Sequence, residues 1–200
     1  MIIAVTGHRP NKLWGYNTAR PQYAQVAKAL ERVIDYLGAD TLITGMALGF
    51  DQVAAEVAKD RDDVRFVAAV PFKDQPSKWP YISRHHYFQL LDAADEIDIV
   101  CEGEYEPQKM QVRNEWMVDH ADVIVALWDG TPGGTRNCLA YAAKQAKPVF
   151  RMDPRSVTPD SCPGFLPANE AARTLAKNID ATPIPNDGAS ADVPQTQPQP

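Results

Sequence analysis

The sequence predicts an α/β fold: one doubly wound, mainly parallel sheet with helices on both faces, followed by a tail that builds no core. Three observations carry this prediction. Short apolar runs alternate with segments of helical periodicity from residue 2 to residue 151. Several of the runs are apolar on both faces, as strands of a parallel sheet covered by helices must be. Three of them lead straight into glycine-containing turns, and in open α/β sheets ligands bind where such loops converge.

The elements follow in order. Residues 2–5, 41–44, 65–70, 96–100, 122–128 and 148–151 read as strands. Between the first two, residues 21–37 place Val26, Leu30, Val33, Ile34 and Leu37 at helical spacing, with Gly38 as the C-terminal stop. Residues 51–59, 77–94, 107–121 and 136–147 are the remaining helices. Strictly alternating strands and helices specify the doubly wound class but leave the strand order open. Residues 1–151 therefore form one domain. In the extension at 152–182 proline recurs at Pro154, Pro159, Pro163 and Pro167, and only 169–178 suits a short helix. Residues 183–200 are Pro, Gln, Asn, Asp and Ala with almost no large apolar side chain, the composition of a disordered tail.

Bulk properties bound the function. Two hundred residues, 44% hydrophobic and 23% charged, suit an ordinary soluble domain plus a tail. A net charge of −6 argues against a protein that grips nucleic acid mainly through phosphates, so nucleic acid is not an expected partner. Cys101, Cys138 and Cys162 are widely spaced and give no disulfide framework or zinc pattern. His85 and His86 are neighbours, pointing to different helix faces rather than one metal site. No metal and no cofactor are expected. The chain enters an apolar strand at once instead of a signal sequence, and no apolar run approaches membrane-spanning length, so a cytoplasmic protein without a membrane partner is expected.

The glycine turns are the candidate site. The first strand leads into Thr6-Gly7-His8-Arg9-Pro10, where Gly7 offers accessible backbone. Arg9 suits a phosphate and His8 can move a proton. The second leads into Gly45-Met-Ala-Leu-Gly49-Phe-Asp51, with Asp51 as helix N-cap, as ligand for a ribose hydroxyl, or both. This spacing is not the dinucleotide fingerprint. The third runs from Asp122 through Asp129-Gly130-Thr-Pro-Gly133-Gly134-Thr135 into a helix, whose N-terminal amides and partial positive charge favour an anion. Upstream, Arg113 and Asn114 are consecutive on a helix and diverge by about 100°. Trp79, Tyr81, Tyr87 and Phe88 read as core and lid packing rather than base stacking, and Cys138 as a small core residue.

Taken together, the Val5–Pro10 stretch, Gly45-x3-Gly49-x-Asp51, Arg113-Asn114 and Gly133-Gly-Thr135 resemble the SLOG superfamily of Rossmann-like domains, most closely its YpsA-like branch. That superfamily includes the DNA-processing protein A domain and the Lonely Guy phosphoribohydrolases. The resemblance spans residues 1–151 and implies a nucleotide or nucleotide-derived ligand across these loops, in a protein that senses, sequesters or regulates. It also implies a homodimer. Gly7, Arg9, Gly45, Gly49, Gly133, Gly134 and Thr135 would hold phosphates, and Asp51 and Asp129 sugar hydroxyls. The resemblance further suggests an enzyme that hydrolyses or transfers at an N-glycosidic bond, as Lonely Guy enzymes and nucleoside 2-deoxyribosyltransferases do with a glutamate after Gly-Thr. Here that position holds Cys138, which leaves Glu115 and Asp129 as the only candidate catalytic carboxylates.

Overall fold

The computed structural model describes residues 1–157 and 165–166. Its sheet is built from β1 (Ile2–Gly7), β2 (Thr41–Thr44), β3 (Arg65–Val70), β4 (Glu96–Ile99), β5 (Val123–Leu127), β6 (Val149–Met152) and β7 (Phe165–Leu166). The strand order is β4-β3-β2-β1-β5-β6-β7. The first six strands are parallel, and the two-residue β7 pairs antiparallel with β6, an addition the sequence did not foretell. The predicted doubly wound, mainly parallel α/β fold is thus the observed one. The short helix expected at 169–178 and the tail at 183–200 lie outside the described residues.

Five α-helices connect the parallel strands: α1 (Pro21–Leu37), α2 (Phe50–Lys59), α3 (Tyr81–Asp92), α4 (Pro107–Asp119) and α5 (Gly134–Lys144). A 3-10 helix, Pro10–Lys12, follows β1. α1 ends as its sequence requires: Gly38 takes the left-handed conformation at φ +61°, and the Ala39 amide donates back to the Ile34 carbonyl. α3 starts four residues later than its apolar pattern suggests. Pro76 and Pro80 disfavour helix at the residues before them, and turns closed by Asp74 and Pro76 carbonyls take those positions instead. α5 starts two residues earlier than expected, with Gly133 as its N-cap.

Strand alternation sorts the core into two layers. Ile3 and Val5 of β1, and Val123, Val125 and Leu127 of β5, face Val26, Leu30, Ile34, Ala54, Tyr87 and Leu90 from α1, α2 and α3. Their neighbours Ala4, Ile124, Ala126 and Trp128 face Met117, Val118, Cys138, Leu139 and Ala142 from α4 and α5. Every residue of β5 is buried, which is why its sequence, Val-Ile-Val-Ala-Leu, does not alternate. β4 is the contrast: as the sheet's edge it alternates half-buried with exposed, and Ile97 and Ile99 remain half open to solvent. Among the described residues no helix is long and apolar enough to cross a membrane.

Candidate ligand site at the β1–β5 boundary

The strand order places the site. From β1 the chain steps outward through β2, β3 and β4, then returns through α4 to β5 on the other side of β1. The loops after β1 and β5 therefore leave neighbouring strands in opposite directions, and the crevice between them is where open α/β sheets hold ligands.

Across this crevice the two loops are tied together. The His8 amide donates to the Leu127 carbonyl at 3.1 Å. The His8 ring places Nε2 2.6 Å from Asp129 Oδ1. The same carboxylate oxygen accepts from the Thr131 amide at 2.9 Å and hydroxyl at 2.7 Å, closing a tight local turn. Burial pushes the Asp129 carboxyl up, but these Thr131 hydrogen bonds and the one from His8 hold it well below the usual carboxylate range. Burial lowers the His8 ring more than Asp129 raises it, so the ring is neutral at pH 7, and its Nε2 faces both the Asp129 carboxylate and the Asp129 backbone amide 3.2 Å away. The Trp128 indole N–H fixes the same turn by donating to the Thr131 carbonyl at 2.7 Å. Arg151, at the end of β6, supports it from beneath: its Nε donates to the Trp128 carbonyl and its guanidinium lies 4.9 Å from the centre of the Trp128 ring.

The turn delivers the chain to the N-terminus of α5. Gly133 sits at φ +144°, a conformation that favours glycine. A Cβ added to Gly134 would meet nothing within 4 Å, so α5 is open at its first residue. Lys12 reaches over from the 3-10 helix, with Nζ 3.4 Å from Thr131 Oγ1 and hydrogen-bonded to the Pro132 carbonyl. An ammonium beside an open helix N-terminus makes a place where negative charge is stabilised. Lys12 lies outside the glycine-turn motifs that mark the site in the sequence. Its signal was available: Pro10 opens a short helix that holds a cation three residues past Arg9.

The other predicted residues form the layer beneath. The space that a Cβ would fill at Gly7 is taken by Phe50, and that at Gly45 by the Arg113 guanidinium. At both glycines the close approach is made by the protein's own side chains. Gly49, at φ +101°, lies against the backbone of His8 and Arg9 and is itself the N-cap of α2. That corrects the capping assignment for Asp51, which sits inside the first turn, 6% exposed. The Asp51 carboxylate accepts from the backbone amides of Ala47 and Gly7 and lies 3.8 Å from Arg113 Nη1. Burial raises this carboxyl to about 6 against the pull of Arg113. Arg113, 5% exposed, donates from Nη1 to the Gly45 carbonyl. Neighbouring Asn114 is buried as well. Thr6 and Thr135 are both buried, and the Thr6 hydroxyl donates to Cys138. Glu115, half-buried on α4, accepts from Gln111 at 3.0 Å. Gly130, at φ +96°, completes the β5 turn near Arg151. Among the described residues no group of three or more His, Cys, Asp or Glu is placed to hold a metal ion.

Sheet order, crevice and glycine turns together define a Rossmann-like α/β protein. The chain belongs to the YpsA family, described as the YspA SLOG family, whose model matches residues 3–161. The SPbeta prophage-derived protein YoqJ of Bacillus subtilis (strain 168) is 43% identical over 117 residues, 51% of this chain and 68% of that protein. A UPF0398 protein of Bacillus thuringiensis (strain Al Hakam) is 28% identical over 152 residues, 72% of this chain and 83% of its own length. Among solved structures, DNA processing protein A of Helicobacter pylori, described for its single-stranded DNA binding mode, matches with a TM-score of 0.54 at 22% identity. That match covers 76% of this chain and 64% of the other. The Streptococcus pneumoniae counterpart matches at 0.54 and 15% identity, over 88% of this chain and 55% of the other. This chain thus spans less than two thirds of either solved structure, and the likeness at these identities is one of fold.

Proposed function

We propose that this protein binds a nucleotide or nucleotide-derived small molecule in the β1–β5 crevice, with a phosphate at the N-terminus of α5. One observation carries the reading: the open start of α5 at Gly134, with the Lys12 ammonium beside Gly133 and the preceding turn. His8 and Asp129 line the crevice floor, where Asp129 stands ready for a sugar hydroxyl, and Arg9 leaves β1 beside them. Membership of the SLOG superfamily supports a nucleotide-related role. The test is calorimetric titration with adenosine and guanosine monophosphates and with inorganic phosphate. Binding that Gly134→Asp abolishes and Lys12→Ala weakens about tenfold is the expected result; affinity unchanged in both variants overturns the assignment.

Turnover at the N-glycosidic bond is the alternative, and Asp129, held ionised at the crevice, is the carboxylate that favours it. Chromatographic detection of free base from nucleoside monophosphates, lost in Asp129→Asn and kept in Glu115→Gln, would establish it. Single-stranded DNA is a further partner to assay. The acidic balance argues against it, but net charge does not fix local charge, and the fold is shared with a protein described as binding that ligand. Binding to an oligothymidylate that falls steeply with salt would support DNA.

A further inference from the structure

We infer a second ligand site: a pocket of about 370 Å³ between α1, α2 and α3 that takes a flat heteroaromatic ring bearing an N–H donor beside an acceptor, the edge of a nucleobase. Its volume is in the range of small-molecule sites. The walls are apolar and aromatic, with Tyr16 and Tyr23 on one side and Leu48, Val53 and Ile82 on the others. Tyr23 is held in place, since its hydroxyl donates to the Gly15 carbonyl at 2.6 Å and its ring meets Trp14 edge to face. Ile82 is 81% exposed, far more than a helix residue of its kind needs to be, and it stands at the rim.

Thr18, Gln52, Glu56, Ser83 and His86 are the other polar side chains of the lining, and two of them share one helix face. Gln52 and Glu56 are four residues apart on α2 and so share one face, toward the pocket. Gln52 is 7% exposed, and its Nε2 has no hydrogen-bond partner. A buried amide left unpaired costs stability, and because Gln52 lines the cavity, a rotation of its side chain would turn that amide toward a group supplied from outside. A half-turn of the amide exchanges nitrogen and oxygen, so Gln52 can serve either edge of a ring. Glu56 pairs with His86 of α3 at 3.0 Å, and that hydrogen bond lowers its carboxyl, leaving an ionised acceptor at the rim. Apolar walls for stacking, one amide at the floor and one carboxylate at the edge match the donor–acceptor pattern of a base better than an anion, which Glu56 would repel.

The pocket shares Pro10 and Gly49 with the β1 and β2 turns but does not include the N-terminus of α5, and nucleosides, which carry no phosphate, test it apart from the phosphate reading. Adenosine, guanosine, cytidine and uridine would be titrated against the full chain by ligand-observed NMR. Alongside it would be tested Gln52→Leu, which removes the amide, and Ala24→Trp, which closes the mouth from an exposed position on α1. Saturable binding of at least one nucleoside, weakened tenfold or more in both variants and unchanged in Gly134→Asp, is expected. The thermal midpoint of Gln52→Leu should equal or exceed that of the wild type. No saturable binding at millimolar nucleoside, or equal binding in both pocket variants, overturns the inference.

Discussion

His8 and Asp129 meet across the boundary between β1 and β5, 121 residues apart in sequence and 2.6 Å apart in space. Burial is the larger influence on the ring and lowers its pKa from the ordinary 6.5, while Asp129 works in the other direction. A group whose folded pKa is depressed contributes stability that is complete above its unfolded value and lost as pH falls through the folded one. Acidification below 6.5 therefore weakens the fold first through His8, and below the ordinary 3.8 through Asp129, whose carboxyl is also depressed. The His8 ring protons, followed by NMR against pH, should titrate below 6.5 and lower still in Asp129→Asn. A midpoint that rises in the variant would contradict this account.

Beneath the crevice, Asp51 and Arg113 form a buried pair that joins α2 to α4. Arg113→Leu strips a buried carboxylate of its cation and the Gly45 carbonyl of its donor, and breaking such a pair costs about 3–5 kcal/mol. The pH dependence has the opposite sign to that of His8. Asp51 folds with its carboxyl raised from 3.8 to about 6, so its contribution is complete below 3.8 and lost as pH rises through 6. Neutralising it also removes the unpaired charge that Arg113→Leu creates. Urea unfolding at pH 7 and pH 5 should show the deficit of the variant shrinking at the lower pH. A deficit that stays the same at both pH values would show that the pair matters through packing alone.

The fold was legible because its signals are local. The both-faced apolar strands, the helical spacing of Val26, Leu30 and Ile34, and the stop at Gly38 each act within a few residues. The candidate site was legible only in outline. The sequence marks glycines but does not say whether the space each leaves is filled by a ligand or by the protein. At Gly7 and Gly45 the filler is Phe50 or Arg113, which come from 43 and 68 residues away. Likewise nothing near Lys12 reveals that it reaches Pro132, because that contact exists only once β1 and β5 lie side by side.

Cys138 occupies the position where the glycosidic-bond enzymes of the resemblance carry a glutamate, and its surroundings explain what a cysteine does there. It is 1% exposed in the layer between the sheet and α5, and burial pushes its thiol to about 12. A neutral, enclosed thiol is neither nucleophile nor carboxylate substitute. Iodoacetamide labelling read out by peptide mass spectrometry should leave Cys138 unmodified in native protein and modify it fully in urea, whereas half-buried Cys101 reacts without denaturant. Native labelling of Cys138 at the rate of Cys101 would mean that α5 opens far more readily than its packing implies.

Two glycines of the same sequence motifs should respond to alanine with opposite signs. At Gly45 the new methyl group would overlap the Arg113 guanidinium, which cannot retreat because it is tied to the Gly45 carbonyl and lies beside Asp51. Overpacking of this kind destabilises by about 1–3 kcal/mol. At Gly134 the methyl group meets nothing within 4 Å and the residue already lies in the first turn of α5, so alanine should stabilise by about 0.5–1 kcal/mol through the lower entropy of its unfolded chain. Urea midpoints of Gly45→Ala and Gly134→Ala settle the signs. They also separate two uses of glycine that the sequence writes identically: at Gly45 the missing side chain admits an arginine of the same protein, while at Gly134 it leaves the start of a helix open. A Gly134→Ala protein that is stabler yet still binds phosphate, beside a Gly134→Asp protein that does not, would locate the repulsion in the charge of the aspartate and not in its bulk.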